Sequence, residues 1–418
     1  MERTRNRRRT ANTARQRTAV PAKRPSGEAS GKPAETAPSL MRRVKKKFRI
    51  FSIRAGLDMP LFLLVLVLLV IGLVMMFSAS YANAYFYYGD SYYFIKRQVI
   101  WATMGVVIMV AVSYFDYHHF HKFAIPILLL SYILLFVVLL LPAVNYVHRW
   151  IIIGPLNFQP SEIAKFALIL VFSHLISLNY KRMDTFLYGI LPYILILGGM
   201  VLLLQQEPHY SAIVILVALA GVMLFVGGVK FRWFFAVFLL IGAAVLYMVL
   251  FTKSYANERI IGWLDPFNPD IQADTWQTRQ SLMSIGSGGL LGLGLGQSRQ
   301  KYLYLPEPQN DFIFAVVCEE LGFIGALIII ILFALLVWRG VTVSLRARDK
   351  FGMLLGIGLT MQVGIQVVLN IAVVTNTIPN TGISLPFFSY GGTSLVILMA
   401  QMGVVLSISR NSTIEKAS

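Results

Sequence analysis

Three acidic residues lie at the mouth of, or inside, a long apolar run. In YLPEPQNDFIFAVVCEELGFIG, residues 304–325, Asp311 stands where the run begins, and Glu319 and Glu320 follow two turns further in. An acidic side chain at mid-bilayer costs roughly 2.5–3.5 kcal/mol, so the two glutamates are expected to face protein or a water-filled cavity. Asp311 is a candidate for proton transfer. Helix capping is its alternative role.

A second group of ionisable residues lies within the stretch RWIIIGPLNFQPSEIAKFALI, residues 149–169. Ser161 is predicted to cap a helix whose first turns carry Glu162 and Lys165, which share one helix face and can pair. The pair is either a structural ion pair or part of a polar cavity. In such a cavity Lys165 and Arg149 would meet a polyanion, since arginine presents a fork that suits phosphate oxygens.

Three further segments carry polar residues. In QQEPHYS, residues 205–211, Glu207 and His209 stand beside a proline, which fits an interfacial turn nearly as well as a site. The segment 252–311 contains a predicted short amphipathic helix, a glycine-rich stretch at 286–296 that could approach a ligand closely, and the cations Arg299 and Lys301. The uncharged segment 375–394 is irregular, and such backbone is tolerated at membrane depth only where it is buried in protein or lines a cavity.

These residues must be positioned by membrane-spanning helices. The 418-residue chain is 57% hydrophobic and 13% charged, with a mean hydropathy of +0.68, which excludes a soluble fold. The predicted fold is therefore an all-α integral membrane protein with a large loop, 252–311, between its seventh and eighth helices. The ten predicted spans are 59–79, 95–114, 124–142, 162–178, 186–204, 211–228, 232–251, 312–338, 352–375 and 393–409.

The distribution of Lys and Arg along the chain predicts its orientation in the membrane. The formal net charge is +18, and residues 1–56 alone carry seventeen Lys or Arg against three acids. This basic tail is expected to be disordered and cytoplasmic, setting topology or attracting anionic lipid. The short inner loops are basic, and an even number of spans returns the tail 411–418 to the cytoplasm. Tyrosines cluster at span ends, as in YFYYGDSYYF, residues 85–94, where interfacial anchoring is expected.

Several other activities find no support in the sequence. The glycine-rich stretch lacks the Gly-Lys-Ser/Thr ending of a phosphate-binding loop, and it falls on the predicted outer side, away from ATP. The single cysteine, Cys318, excludes a disulfide within the chain and a cysteine-based metal site. No cleavable signal peptide and no nucleic-acid-binding motif are evident. The polar residues instead converge on the outer side, where an amphipathic, anionic reactant is expected.

Three motifs in order give the chain a family resemblance. RWIIIGPLNFQPSEIAK, IGSGGLLGLGLGQSRQKYLYLPEPQNDFIFAVVCEELG and IPNTGISLPFFSYGGTSL resemble the SEDS family (shape, elongation, division and sporulation proteins) from about residue 57 to 410. The stretch GLGQSRQKYLYLPE is more like the FtsW and SpoVE branches than RodA. The resemblance implies ten spans with both ends cytoplasmic. It also implies a peptidoglycan glycosyltransferase that polymerises lipid II on the outer face and releases undecaprenyl diphosphate.

The resemblance also implies roles for individual residues. Asp311 matches the family's essential aspartate, and it is the expected general base for a sugar hydroxyl. Arg149 and Lys165 would stabilise the leaving diphosphate, with or without a divalent cation (Mg²⁺ or Mn²⁺); no ligand cluster diagnoses such a metal. Two motifs depart from the family pattern. The family usually reads His-Thr-Asp-Phe where this chain has Gln309-Asn310-Asp311-Phe312, and it often reads Pro-Asp-x-Gly-Thr at residues 208–212, where this chain has PHYSA. The predicted substrate-binding residues are Arg149, Trp150, Glu162, Lys165, Arg299, Lys301, Ser389 and Tyr390.

Partners and competing functions complete the expectations. The resemblance implies a class B penicillin-binding protein transpeptidase and other division proteins as partners, beside the lipid II substrate and the undecaprenyl-linked glycan. The alternatives are a lipid II flippase, a scaffold that activates a partner enzyme, and a RodA- or SpoVE-type enzyme for elongation or spore cortex synthesis. A flippase would share the outer cavity, but no chemistry would then require Asp311.

Overall fold

The computed structural model describes residues 56–142, 148–153, 156–233, 262–267 and 272–412. The predicted disordered tail, the span 232–251 for all but its first two residues, and most of the C-terminal tail lie outside these ranges. The described part is mostly helical. Its helices are α1 Met59–Tyr88, α2 Tyr93–Tyr114, α3 Phe120–Leu140, α4 Pro160–Asn179, α5 Phe186–Gly189, α6 Leu191–Gln206, α7 Tyr210–Val226, α8 Gln272–Gly288, α9 Ile313–Leu345, α10 Lys350–Val374 and α11 Gly392–Asn411.

The structure confirms the prediction of a helical protein with several membrane-spanning segments, but not the exact count of ten. Within the described ranges, eight segments are long and apolar enough to cross a membrane. They are Met59–Tyr88, Tyr93–Tyr114, Tyr117–Leu140, Pro160–Arg182, Phe186–Gln206, Ile313–Leu345, Lys350–Val374 and Gly392–Asn411. The predicted span 211–228 corresponds to α7, an apolar helix of 17 residues that is shorter than these eight.

The bundle is organised around α4, α10 and α11, which are mostly buried, whereas α2 and α3 expose much of their surface. Helix α11 packs mainly against α2, α10 against α9 and α4, and α3 against α4. The one sheet within the described residues is a hairpin of β1 Ile151–Ile153 and β2 Leu156–Phe158, which are antiparallel and pair Ile152 with Asn157. The hairpin leads directly into α4, so it places Arg149, Trp150 and the start of α4 at one end of the bundle.

Helix α9 is broken at Gly322, whose φ of 67° and ψ of −170° interrupt the helical path. The break frees backbone groups that the glycine-rich segment satisfies. Leu293 and Gly294 donate to the carbonyls of Glu319 and Glu320 at 2.9 and 3.0 Å, and Phe323 donates back to Gly289 at 2.9 Å. A Cβ on Gly292 would lie 2.1 Å from the Glu320 carbonyl oxygen. The close approach predicted for 286–296 is therefore made to a helix backbone.

Glu319 and Glu320 are each 1% exposed and face protein, as expected. Glu319 accepts hydrogen bonds from Ser284 and Ser298 hydroxyls and from the Arg299 amide. The carboxylates of Glu319 and Glu320 thus hold the backbone that follows the glycine-rich segment against α9. The predicted amphipathic helix forms as α8, which packs on α9.

Candidate active site

A cavity of about 440 Å³ opens at the end of the bundle where α4, α7 and α11 begin. Residues from the first turns of these helices line it, together with the hairpin, the segment 382–391 and the residues immediately before α9. Helices α4, α7 and α11 start without a side-chain cap, so their first backbone N–H groups lie near the cavity wall. This end of the bundle is the one that the charge pattern predicts to be outer.

Asp311 lies in the cavity wall just before α9 and is half-buried. Phe312 occupies the N-cap position of α9 and forms no capping bond, so Asp311 does not cap the helix. Among the described residues, no side chain forms a hydrogen bond or ion pair with its carboxylate. Burial raises the pKa of Asp311 to about 6; the charge of Glu307 adds to this rise, and the charge of Arg149 opposes it. A carboxylate with that pKa is ionised at neutral pH and is basic enough to accept a proton.

The backbone around Asp311 is fixed by two polar side chains. The Asn370 amide donates to the carbonyl of Asp311 at 2.7 Å and to that of Ile383 at 2.6 Å. The Ser389 hydroxyl donates to the Asn310 carbonyl at 2.7 Å and accepts from the Leu385 amide at 2.7 Å. These bonds join the start of α9 to the irregular segment 382–391, so the segment acts as a rigid wall that positions the carboxylate.

Cationic groups also line the cavity. Lys165 is 3% exposed and pairs with Glu162 at 2.8 Å, as the helix spacing predicts. Helix α4 begins at Pro160 with Gln159 at the N-cap, so the capping role predicted for Ser161 is wrong. Arg149 donates to the Pro208 carbonyl and keeps its guanidinium beside the cavity. The lining thus combines one basic carboxylate with fixed positive charges.

Glu207 and His209 form a buried corner, and His209 lines the cavity. Both carboxylate oxygens of Glu207 and the Nδ1 atom of His209 are buried without a hydrogen-bond partner among the described residues. Burial raises the pKa of Glu207 to about 8 and lowers the pKa of His209 to about 3. Near neutral pH the imidazole is therefore neutral and the carboxyl is mostly protonated, so this corner adds little negative charge beside Arg149 and Lys165.

The structure brings most, but not all, of the predicted site residues together. Those that line the cavity are Asp311, Arg149, Trp150, Glu162, Lys165, Ser389 and Tyr390. Arg299 and Lys301 are absent from the lining. The Lys301 side chain is fully buried, and its ammonium lies 2.7 Å from Glu320 and 3.3 Å from the Ser78 hydroxyl. Lys301 therefore neutralises a buried carboxylate, and its surroundings leave no room for substrate.

Replacement of Lys301 by methionine is expected to lower the free energy of unfolding by about 3–5 kcal/mol, because Glu320 would keep a buried and uncompensated charge. Thermal unfolding of the purified protein in detergent measures this. The double variant Lys301→Met, Glu320→Gln should recover much of the loss. Lys96→Met is the matched control, since Lys96 pairs with Asp90 at a similar 2.8 Å but in solvent, and should change stability little. A stable Lys301→Met protein would contradict a structural role.

Sequence reasoning missed other lining residues, notably Arg97, Trp101 and Gln366. Arg97 had a usable signal: it stands at the predicted outer end of a span, where the positive-inside rule disfavours basic residues. Trp101 and Gln366 lie within helices and carry no such signal, because their exposure to the cavity depends on how the helices pack.

The lining does not form a ready-made metal centre. Among the described residues, no group of three or more His, Cys, Asp or Glu side chains could hold a metal ion. Glu162 is already paired with Lys165, and Asp311 lies in the field of Arg149. The donor set of the described cavity therefore does not fit a resident divalent cation.

Comparison with known proteins identifies the family. The sequence profile described as "Cell cycle protein", which covers FtsW, RodA and SpoVE, matches residues 59–414. The chain is 40% identical over 360 residues to stage V sporulation protein E of Bacillus subtilis strain 168, covering 85% of this chain and 97% of that protein. It is 38% identical over 358 residues to the probable peptidoglycan glycosyltransferase FtsW of Geobacter sp. strain M18, with the same coverages.

Solved structures agree with this placement. A chain from a peptidoglycan synthase complex that coordinates polymerization and crosslinking superposes with a TM-score of 0.72 at 26% identity, covering 85% of this chain and 98% of that one. The rod shape determining protein RodA of Thermus thermophilus superposes with a TM-score of 0.62 at 26% identity and the same coverages. The fold is that of a multi-pass membrane protein of the SEDS class. The chain belongs to the FtsW/RodA/SpoVE cell cycle protein family.

Proposed function

We propose that this chain polymerises lipid II into glycan strands at the outer face of the bacterial cytoplasmic membrane, with Asp311 as general base, in septal wall synthesis. The protein is a peptidoglycan glycosyltransferase of its family. The observation that carries the mechanism is the convergence of Asp311, Arg149 and Lys165 on one cavity. Ten spans with both termini cytoplasmic and a large outer loop between the seventh and eighth helices belong to the same proposal.

The geometry supports a single displacement. Asp311 accepts the proton of the acceptor sugar hydroxyl as that oxygen bonds to the anomeric carbon of the donor. The bond between the anomeric carbon and the diphosphate oxygen breaks, and its electron pair leaves with undecaprenyl diphosphate. Arg149 and Lys165 stabilise the charge that develops there. One base and one displacement invert the anomeric centre.

Partner and subtype rest on the comparisons. The solved relative from a peptidoglycan synthase complex supports a class B penicillin-binding protein as a partner. The curated relatives include both FtsW and SpoVE proteins, so a sporulation role competes with division. Depletion of the protein in its host, followed by imaging of septa and spore cortex, separates the two roles.

A lipid II flippase is the second candidate, because the same cavity would suit an amphipathic anionic ligand. The deciding experiment supplies lipid II to the purified protein in proteoliposomes and measures both polymer formation and transbilayer movement. Polymer made by the unmutated protein and abolished by Asp311→Asn supports the polymerase. Transport that survives Asp311→Asn, without polymer, supports the flippase.

The rate of polymerisation is expected to depend on a group that titrates near pH 6. Because the pKa of Asp311 is raised to about 6, the basic form is lost as pH falls through that value, and kcat/KM should drop about tenfold per unit below it. The charge of Glu307 contributes to the raised pKa of Asp311. Glu307→Gln should therefore shift the acidic fall in kcat/KM to lower pH and leave the plateau rate unchanged. A flat profile between pH 4.5 and 7 would contradict Asp311 as the base.

A further inference from the structure

Four residues form a continuous series from the cavity wall to the exposed outer end of α1; we name Tyr390, Arg97, Tyr93 and Tyr88 the tyrosine ladder. Tyr390 and Arg97 both line the cavity. The Arg97 guanidinium lies 4.2 Å from the centroid of the Tyr93 ring. The Phe94 ring contacts Tyr390 and Tyr93 edge-on, with centroid distances of 4.9 and 5.2 Å. The Tyr88 ring stacks on Tyr93 with centroids 3.8 Å apart and planes 7° from parallel. The ladder therefore joins the reaction chamber to the surface without a gap.

The outer end of the ladder is open to a ligand. Tyr88 is 53% exposed, although one face of its ring is covered by Tyr93. Lys96 and Asp90 form an exposed ion pair on the same rim. The surface next to the cavity thus offers an aromatic face, tyrosine hydroxyls and charged groups within one short stretch of α1 and α2.

This combination of groups matches the chemistry of a saccharide chain. A pyranose presents a face of polarised C–H bonds that packs on the negative face of an aromatic ring, and hydroxyl and amide groups at its edge that hydrogen-bond to Arg or Tyr. Arg97 and Tyr93 are one helical turn apart, about 6 Å along α2, and the stacked Tyr88 extends this path further. The ladder is long enough to contact the sugar units that lie next to the cavity.

An interfacial aromatic belt is the alternative account of these tyrosines. In a belt, individual rings lie among lipid headgroups. They need not stack on one another or contact a reaction site. Here the rings are stacked on one another and are tied through Arg97 to the cavity lining. Tyr85, on the same end of α1 and 68% exposed, is outside the ladder and serves as the belt reference.

We propose that the tyrosine ladder is a saccharide-binding track that holds the glycan strand beside the cavity. The proposal rests on the polymerase function, since only a polymerase keeps a growing strand at this place. It assigns Tyr88 and Tyr93 to contact with sugar rings and Arg97 to a hydrogen-bonding link between the track and the cavity. It predicts that strand retention, and hence product length, depends on residues outside the site of bond formation.

The test measures binding of soluble, lipid-free N-acetylglucosamine–N-acetylmuramic acid oligomers to the full chain in nanodiscs. It is run in the Asp311→Asn background, so that turnover does not interfere. Tyr88→Ala is expected to weaken binding about fivefold to tenfold, whereas Tyr88→Phe, which keeps the ring, should stay within about twofold. Tyr88→Leu keeps an apolar anchor but loses the aromatic face, and it should bind as poorly as alanine. Tyr85→Ala should bind normally.

The outcomes are separable. Oligomer binding that survives Tyr88→Ala and Tyr88→Leu overturns the track, as does an equal loss with Tyr85→Ala. Rescue by leucine would assign the residue to membrane anchoring and would also overturn it. In the active protein, Tyr88→Ala should give shorter strands. If the unmutated protein makes no polymer yet its oligomer binding depends on Tyr88, the proposed function fails while the saccharide site stands.

Discussion

Replacement of Asp311 by asparagine is expected to slow polymerisation of lipid II by about 10³-fold while the protein remains folded. Asparagine has nearly the same shape, and the carboxylate has no hydrogen bond or ion pair to lose among the described residues. The backbone bonds from Asn370 and the packing of α9 are unchanged by the substitution. What disappears is the only atom at that position able to take the hydroxyl proton. Initial rates with purified protein and lipid II measure the effect.

Two further variants test whether the loss of rate comes from the Asp311 carboxylate itself. Asp184→Asn removes an exposed carboxylate and should leave the rate unchanged. Gly382→Ala would place a Cβ 3.0 Å from the Asp311 Oδ2 atom, at a residue with a φ of 68°, so it should displace the carboxylate and slow the reaction while Asp311 is still present. A parental rate for Asp311→Asn would refute the mechanism, whatever the family likeness.

Replacement of Lys165 by methionine is expected to lower kcat by about 10²-fold, because the leaving diphosphate would lose a charge that is already in place before the reaction. Lys165 is held by Glu162 and by burial, so it needs little reorganisation as charge develops. Since this interaction strengthens in the transition state, kcat should fall more than KM rises. Steady-state kinetics across lipid II concentrations provide the measurement.

The loss could also come from the unpaired Glu162, so a second variant is needed. In Glu162→Gln, Lys165→Met the buried acid is neutral and the fold should be intact, yet the rate should stay as low as in Lys165→Met alone. Lys230→Met, at an exposed pair with Asp184, is the control for loss of a cation and should be near normal. If the double variant regains the parental rate, Lys165 is structural and its role at the diphosphate is refuted.

Sequence reasoning located much of the site because charge is conspicuous in an apolar chain. Asp311 and Lys165 stand near the ends of predicted spans, where an ionised group needs a reason to be retained, and Arg149 stands between two spans. All three line one cavity. The same reasoning failed for Lys301, which it assigned to substrate. Lys301 and Glu320 are nineteen residues apart, and their pairing depends on the glycine-rich segment docking at the break in α9.

By itself, the sequence determined the class of protein and the approximate position of most spans, and it proposed Asp311 as the base, because hydropathy, charge and motif order are properties of the linear chain. Only the tertiary structure decided which polar residues face a common space. It buried Glu319, Glu320 and Lys301 together, and it brought Arg97, Trp101 and Gln366 to the cavity from helices distant in sequence. The physical reason is that a polar group in a bundle must find its partner across helix contacts, and those contacts follow from side-chain packing that no single segment specifies.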